Sequence, residues 1–161
     1  MLNTAVRMTG YVLVALLFIT ATGCAKAIDT KEHGAIATVK EYLSAKTNND
    51  YPALVSTLAN DPGSFPLGVI TLTSHRFEVA DAETLRIKRY YTGSDLALKA
   101  GWSNEYIKDH MIVVLAVYTV QYDNTKVPYE GGTTLTYFHL IREHASSPWL
   151  IWQSYRARAG N

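Results

Sequence analysis

The sequence predicts an α+β domain in which N-terminal helices pack on an antiparallel sheet. Three observations carry this reading. Apolar residues recur at helical spacing from residue 35, and the last third holds three runs rich in Val, Ile, Thr and aromatic residues between turn signals. A leader of different composition precedes both.

The leader has one basic residue, Arg7, then the apolar run Tyr11 to Ile19, then Ala21-Thr22-Gly23-Cys24. Its apolar part, Met8 to Ala21, falls short of the ~20 residues that a bilayer span needs. Charged, apolar and small-residue zones in that order are those of a secretory signal peptide. Ala-Thr-Gly-Cys resembles the lipobox of bacterial lipoproteins, with Ala21 standing where Leu is commonest. The resemblance implies that residues 1–23 are removed and that the Cys24 thiol receives a diacylglycerol. Two acyl chains hold a protein stably on a bilayer, where one does so marginally. Cys24 is the chain's single cysteine, so no intrachain disulfide competes for it. The expectation is a lipid-anchored protein on the extracytoplasmic side of the cell membrane. Residues 24–34 read as a tether, with a reach of roughly 17–19 Å, and residues 35–161 as one domain.

Fifteen basic and fourteen acidic residues nearly cancel, for a net charge of +1. That balance argues against nucleic acid as a partner. The length suffices for one hydrophobic core without staples. Tyrosine is frequent, with 11 residues, and suits half-buried sheet faces and contact surfaces because it joins a large ring to a polar tip.

Ile36, Val39, Leu43 and Lys46 or Thr47 follow three- and four-residue steps and predict a helix from Ala35. Asn48-Asn49-Asp50 stops it. Asp50 can cap a second, short helix with Pro52 in its first turn and Ala53, Leu54 and Leu58 on its apolar side. Pro62, Gly63, Pro66 and Gly68 mark a loop. Val69 to Val79 alternates weakly and Glu83 to Tyr91 alternates better, so both are expected to be strands. Ser94 can cap a short helix from Asp95 to Ala100, closed by Gly101. His110 to Tyr122 is apolar on both faces and reads as a central strand. Thr133 to Glu143 and Trp149 to Arg156 follow it across turns at 123–132 and 144–148.

The two helices and their Asn48-Asn49-Asp50-Tyr51 corner resemble the opening of the nuclear-transport-factor-2-like (SnoaL-like, cystatin-like) superfamily. Tyr118 to Tyr122, Thr136 to Glu143 and Ser147 to Trp152 are similar to a family of bacterial lipoproteins assigned to that fold. The likeness covers most of Ile36 to Trp152. It implies a cone, with N-terminal helices on a curved antiparallel sheet. It leaves the activity open, since enzymes, binders and dimerisation modules share the fold.

Pairing the last three strands from their turns sets Tyr122 opposite Thr133, so that Tyr118 faces Tyr137. Setting Glu143 opposite Trp149 brings His139 to Gln153 and Tyr137 to Tyr155. Alternation then puts Leu115, Val117, Phe138, Leu140, Leu150 and Trp152 on a core face under the helices. Tyr118, Tyr137, His139, Gln153 and Tyr155 fall on the other face, a candidate surface for a partner or ligand. It can equally be a solvated sheet with cross-strand aromatic pairs. In the resembled fold this outer face often joins two subunits, so a second copy of the chain or an envelope protein is the expected partner.

An enzyme of the same fold is the alternative, with a buried Asp or His in a cone-shaped pocket acting on a small apolar substrate. Asp109, His110, His75 and Asp123 are its candidates. Asp109 and His110 are adjacent at a strand start and point to opposite faces, so they make no dyad, and Asp123 suits a turn. None of these is assigned a catalytic role. The five histidines lack zinc-ligand spacing. No Gly-rich phosphate loop calls for a cofactor, and none is expected. Arg86 to Tyr91 is basic and aromatic, and suits a solvated strand face or contact with anionic headgroups.

Overall fold

In a computed structural model, residues 30–60 and 70–157 are described. The leader, Cys24 and the first part of the tether lie outside these residues. Among the described residues, five helices and four strands follow in the order α1 (Thr30–Asn48), α2 (Tyr51–Ser56), β1 (Ile70–Val79), α3 (Asp81–Tyr91), α4 (Asp95–Lys99), α5 (Asn104–His110), β2 (Met111–Tyr122), β3 (Gly132–Ile141) and β4 (Leu150–Arg156). The architecture is α+β, with helices before an antiparallel meander of strand order β1-β2-β3-β4.

The first helix begins at Thr30, five residues before the expected start, and takes in the last part of the predicted tether. Gly34 sits inside it because the Trp149 ring needs the space. A Cβ there would lie 3.2 Å from Trp149 Cδ1. Thr38 ties the same contact by donating its hydroxyl hydrogen bond to the Trp149 carbonyl at 3.1 Å. At the corner, Asn49 takes φ 59°, a left-handed conformation that Asn tolerates. Asp50 then caps α2 by accepting from the Ala53 amide at 3.0 Å, as its position predicts.

Residues 83–91 depart from expectation. They belong to a helix, not a strand. The alternation of Leu85, Ile87 and Arg89 competes with a helical stripe of Thr84, Ile87 and Tyr91, and the stripe is the buried set. Leu85 is 57% exposed. Asp81 and Glu83 open the helix and Lys88 and Arg89 close it, the charge order that favours the helix dipole. The predicted cap of the next helix holds, with Ser94 accepting from the Ala97 amide at 3.2 Å. Ser103 caps α5 in the same way through the Tyr106 amide.

Helices therefore pack on both faces of the sheet. On one face α1 and α2 bury Val39, Leu43 and Leu54 against Ile112, Val114, Ala116, Phe138, Leu140 and Ile151. On the other, α3, α4 and α5 bring Ile87, Tyr91, Ala97 and Ile107 onto Met111 and Val113, with Trp102 and Trp152 packed beside them. This second core explains why the first six residues of β2 are buried in succession, as a strand covered on both sides must be.

The β2–β3 register also differs from expectation. Thr133 lies opposite Thr119, not Tyr122, so Tyr118 faces Thr134 and Tyr137 faces Leu115. The last residues of β2, Gln121 and Tyr122, pair with Thr71 and Ile70 of β1, while β3 begins opposite Val120. Gly131 makes the approach possible, since a Cβ there would stand 2.5 Å from the Val120 carbonyl oxygen. A three-residue displacement is odd, so it exchanges the faces of β2 relative to β3. Leu115 and Val117 leave the predicted core face, and Tyr118 joins the α1 side, its hydroxyl 3.1 Å from Thr136 Oγ1. The β3–β4 pairs His139–Gln153 and Tyr137–Tyr155 stand as predicted. An irregularity after His139 then sets Leu140 opposite Ile151, and Trp152 packs in the second core.

Candidate functional site

Four of the five predicted face residues come together, joined by two from α3. Strand pairing places His139 beside Gln153 and Tyr137 beside Tyr155. The Tyr155 ring packs at 5.3 Å from Tyr137 and edge-on at 5.0 Å from His139, centroid to centroid. Tyr118 is the exception, on the opposite side of the sheet. It packs against the first core and raises the pKa of Tyr42 there, after burial itself, to about 12.

The polar tips are tied to one another. The Tyr155 hydroxyl donates to Glu83 Oε2 at 2.7 Å and accepts from Arg86 Nη2 at 2.9 Å. Arg86 Nε closes the triangle on the same Glu83 oxygen at 2.7 Å. The Tyr155 bond, with Arg86 behind it, holds the Glu83 carboxyl below the usual carboxylate range. Burial pushes the Tyr155 hydroxyl up, and its bond to Glu83 adds to that. A glutamate and an arginine three apart on a helix face the same way, which is the signal in the sequence that could have found them.

His139 is the buried member, 3% exposed. The Gln153 amide nitrogen lies 2.7 Å from its Nδ1 and donates there, which leaves the ring proton on Nε2. Nε2 is buried without a hydrogen-bond partner among the described residues. Burial, and secondarily Arg86, pulls the imidazole pKa down to about 4, against a smaller upward pull from Glu83. His139 is thus neutral at pH 7.

The candidates for acid–base chemistry are spread over β1, α5 and the β2–β3 turn. Asp109 and His110 lie at the end of α5 rather than in a strand. The His110 ring stacks on Tyr106 at 4.0 Å, and its Nδ1 is 2.8 Å from the Tyr106 carbonyl oxygen. Asp109 is exposed, and its carbonyl accepts from Arg142. His75, exposed at the bulge of β1, meets Thr119 Oγ1 at 2.7 Å. Asp123 organises the turn, accepting from the Thr125 amide and pairing with Lys126 at 3.0 Å. These contacts, those to Thr125 first, lower its pKa to about 2. Among the described residues, no three His, Cys, Asp or Glu side chains converge as a metal site requires. No helix among them is long and apolar enough to cross a membrane.

A surface with one half covered by helices and the other half open can receive a partner. Leu135, on β3 next to Tyr137 in the alternation, is 39% exposed, and Val117, Tyr137 and Tyr155 are half-buried. The Glu83–Arg86 pair holds the Tyr155 ring in place, and Tyr137 packs against that ring, so little side-chain freedom would be lost on contact. No curated protein and no solved structure matches the chain. A family model does match, over residues 37–154, which take in β1, β2 and β3 whole and β4 as far as Ser154. The chain belongs to the family described as Domain of unknown function (DUF4829).

Proposed function

We propose that the protein is a membrane-anchored extracytoplasmic lipoprotein whose domain is a binding or protein-interaction module of nuclear-transport-factor-2-like architecture. The observation that carries the interaction reading is the ordered aromatic face of Tyr137 and Tyr155, buttressed by Glu83 and Arg86 and left half-open beside α3. The order of two helices, a strand, a helical insertion and a three-stranded meander supports the fold assignment. The lipobox-like Ala21-Thr22-Gly23-Cys24 supports the anchor. The partner is a second copy of the chain or another protein of the envelope.

Two variants test the reading separately. Cys24→Ser abolishes labelling by radioactive palmitate and moves the protein from the membrane to the soluble fraction. Retention of the label in that variant refutes the anchor. Tyr137→Ala combined with Leu135→Asp lowers self-association in sedimentation, or crosslinking to a partner in intact cells, with an unchanged circular dichroism spectrum. Unchanged association by both measurements refutes the face.

A further inference from the structure

A cleft of about 470 Å³ opens between α1 and β1, away from the tyrosine face. That volume is in the range of small-molecule sites, ~300–1,000 Å³. Its walls have two chemistries. Ile36 and Phe77 are half-buried and pack against the first core. His33 and Lys40 stand along the same side of α1, seven residues apart, and His75 and Arg76 come from the bulge of β1. Among the described residues, the side chains that line the cleft include no carboxylate. Glu78, which meets Arg76 at 3.5 Å, is outside it, and both side chains of that pair are about half exposed.

Lys40 is the pivot. Its ammonium lies 5.3 Å from the centre of the Phe77 ring, which sets a cation directly above the apolar floor. Past Lys40 lies a smaller cleft of about 230 Å³, where Ser44, Thr47, Asn48 and Ser74 share the walls with Leu43 and Leu72. Lys40 and Arg76 both line the cleft under Phe77, and a cleft lined by one sign of charge draws counter-ions. An apolar body attached to the anion would at the same time cover Ile36 and Phe77.

We infer that the α1–β1 cleft is a binding site for a small anionic amphiphile, with a phosphate or carboxylate head at Lys40 and Arg76 and a short apolar body on Ile36 and Phe77. The inference goes beyond the proposed interaction module and uses neither the anchor nor the tyrosine face.

The test is calorimetric titration of the full chain in neutral phosphatidylcholine nanodiscs, with partition into empty nanodiscs subtracted. Octyl phosphate is the probe. Inorganic phosphate carries the head alone, and octyl glucoside carries the same chain without charge. Saturable binding of one octyl phosphate per chain, at least tenfold tighter than either control, is the expected result. Lys40→Glu and Arg76→Gln should each weaken it about tenfold, while Lys40→Arg and the distant Lys99→Gln leave it unchanged. Equal binding of octyl glucoside, or Lys40→Glu binding like the parent, overturns the proposal. Inorganic phosphate binding as tightly as octyl phosphate overturns the amphiphile. Exchanging half the neutral lipid for phosphatidylglycerol identifies the source. Competition with octyl phosphate supports a lipid headgroup as the ligand, and its absence supports a soluble one. The Cys24→Ser chain must bind the probe as the parent does, so failure of the cleft and failure of the anchor are distinguishable.

Discussion

His139 shows how far a single residue could be read ahead of the structure. Its pairing with Gln153 and that of Tyr137 with Tyr155 follow from the spacing across the Ser-Pro turn, and both stand. The partners on α3 do not follow, because Glu83 and Arg86 lay in a segment expected to be a strand. The consequence for stability can be signed. The folded-state pKa of His139 is about 4, below its ordinary 6.5. Between those values the unfolded chain binds the proton and the folded one does not, so stability falls as pH is lowered. Above pH 6.5 the neutral ring carries no such penalty. Protonation below pH 4 brings the loss to its limit, on the order of 3 kcal/mol at ~1.4 kcal/mol per pKa unit. Asp123, with its pKa near 2, loses its own contribution only below about pH 4. Urea unfolding at pH 7 and pH 4.5 should therefore show a drop of about 2–3 kcal/mol in the parent. His139→Leu, which removes the ring and its unpartnered Nε2, should reduce that drop to the contribution of the carboxylates. An equal drop in His139→Leu would remove His139 as the cause.

At the scale of elements, capping and β-rich composition were legible and periodicity over a short window was not. Asp50 and Ser94 are caps because a short oxygen-bearing side chain before a helix satisfies an amide that has no partner in the helix, and both make that bond. Over residues 83–91, two periods fit the same nine residues. Leu85 and Ile87 share a face in a strand but lie about 200° apart around a helix. The helix wins because its stripe of Thr84, Ile87 and Tyr91 covers the first residues of β2, Met111 and Val113. Thr84 adds a specific tie, accepting from the Val113 amide at 2.9 Å. Two substitutions separate the arrangements. Ile87→Ala should cost about 2–5 kcal/mol, as buried truncations do. Leu85→Ala, at a 57% exposed position, should stay within about 0.5 kcal/mol of the parent. Similar losses at the two positions, measured by denaturant unfolding, would restore the strand.

Across the whole molecule, the information that the sheet is covered twice was present in β2, whose opening run is apolar on both faces. With a strand expected at 83–91, only the short helix expected from Asp95 to Ala100 remains to cover the second face, so the run reads as a central strand and the second layer stays hidden. The register was beyond reach for a different reason. Strand ends read from composition take no account of Gln121 and Tyr122 pairing with β1 beyond the β3 ladder, nor of the backbone contact at Gly131. The doubly covered strand has a thermodynamic consequence. Val113 and Val114, adjacent in β2, belong to the second and first cores respectively, and each is at most 1% exposed. Neither core can lose β2 without exposing the other, so the two should unfold as one cooperative unit. Trp102 and Trp152 report on the second core and Trp149 on the first. With Trp149→Phe, the remaining fluorescence follows the second core alone, while far-ultraviolet circular dichroism follows all helices and strands. The expected result is coincident transitions in urea for the two signals. Val114→Ala, on the first-core face, should then shift the fluorescence midpoint as far as the circular dichroism midpoint. Separate midpoints, or a fluorescence transition unmoved by Val114→Ala, would show that α3, α4 and α5 melt independently and that β2 does not couple the cores.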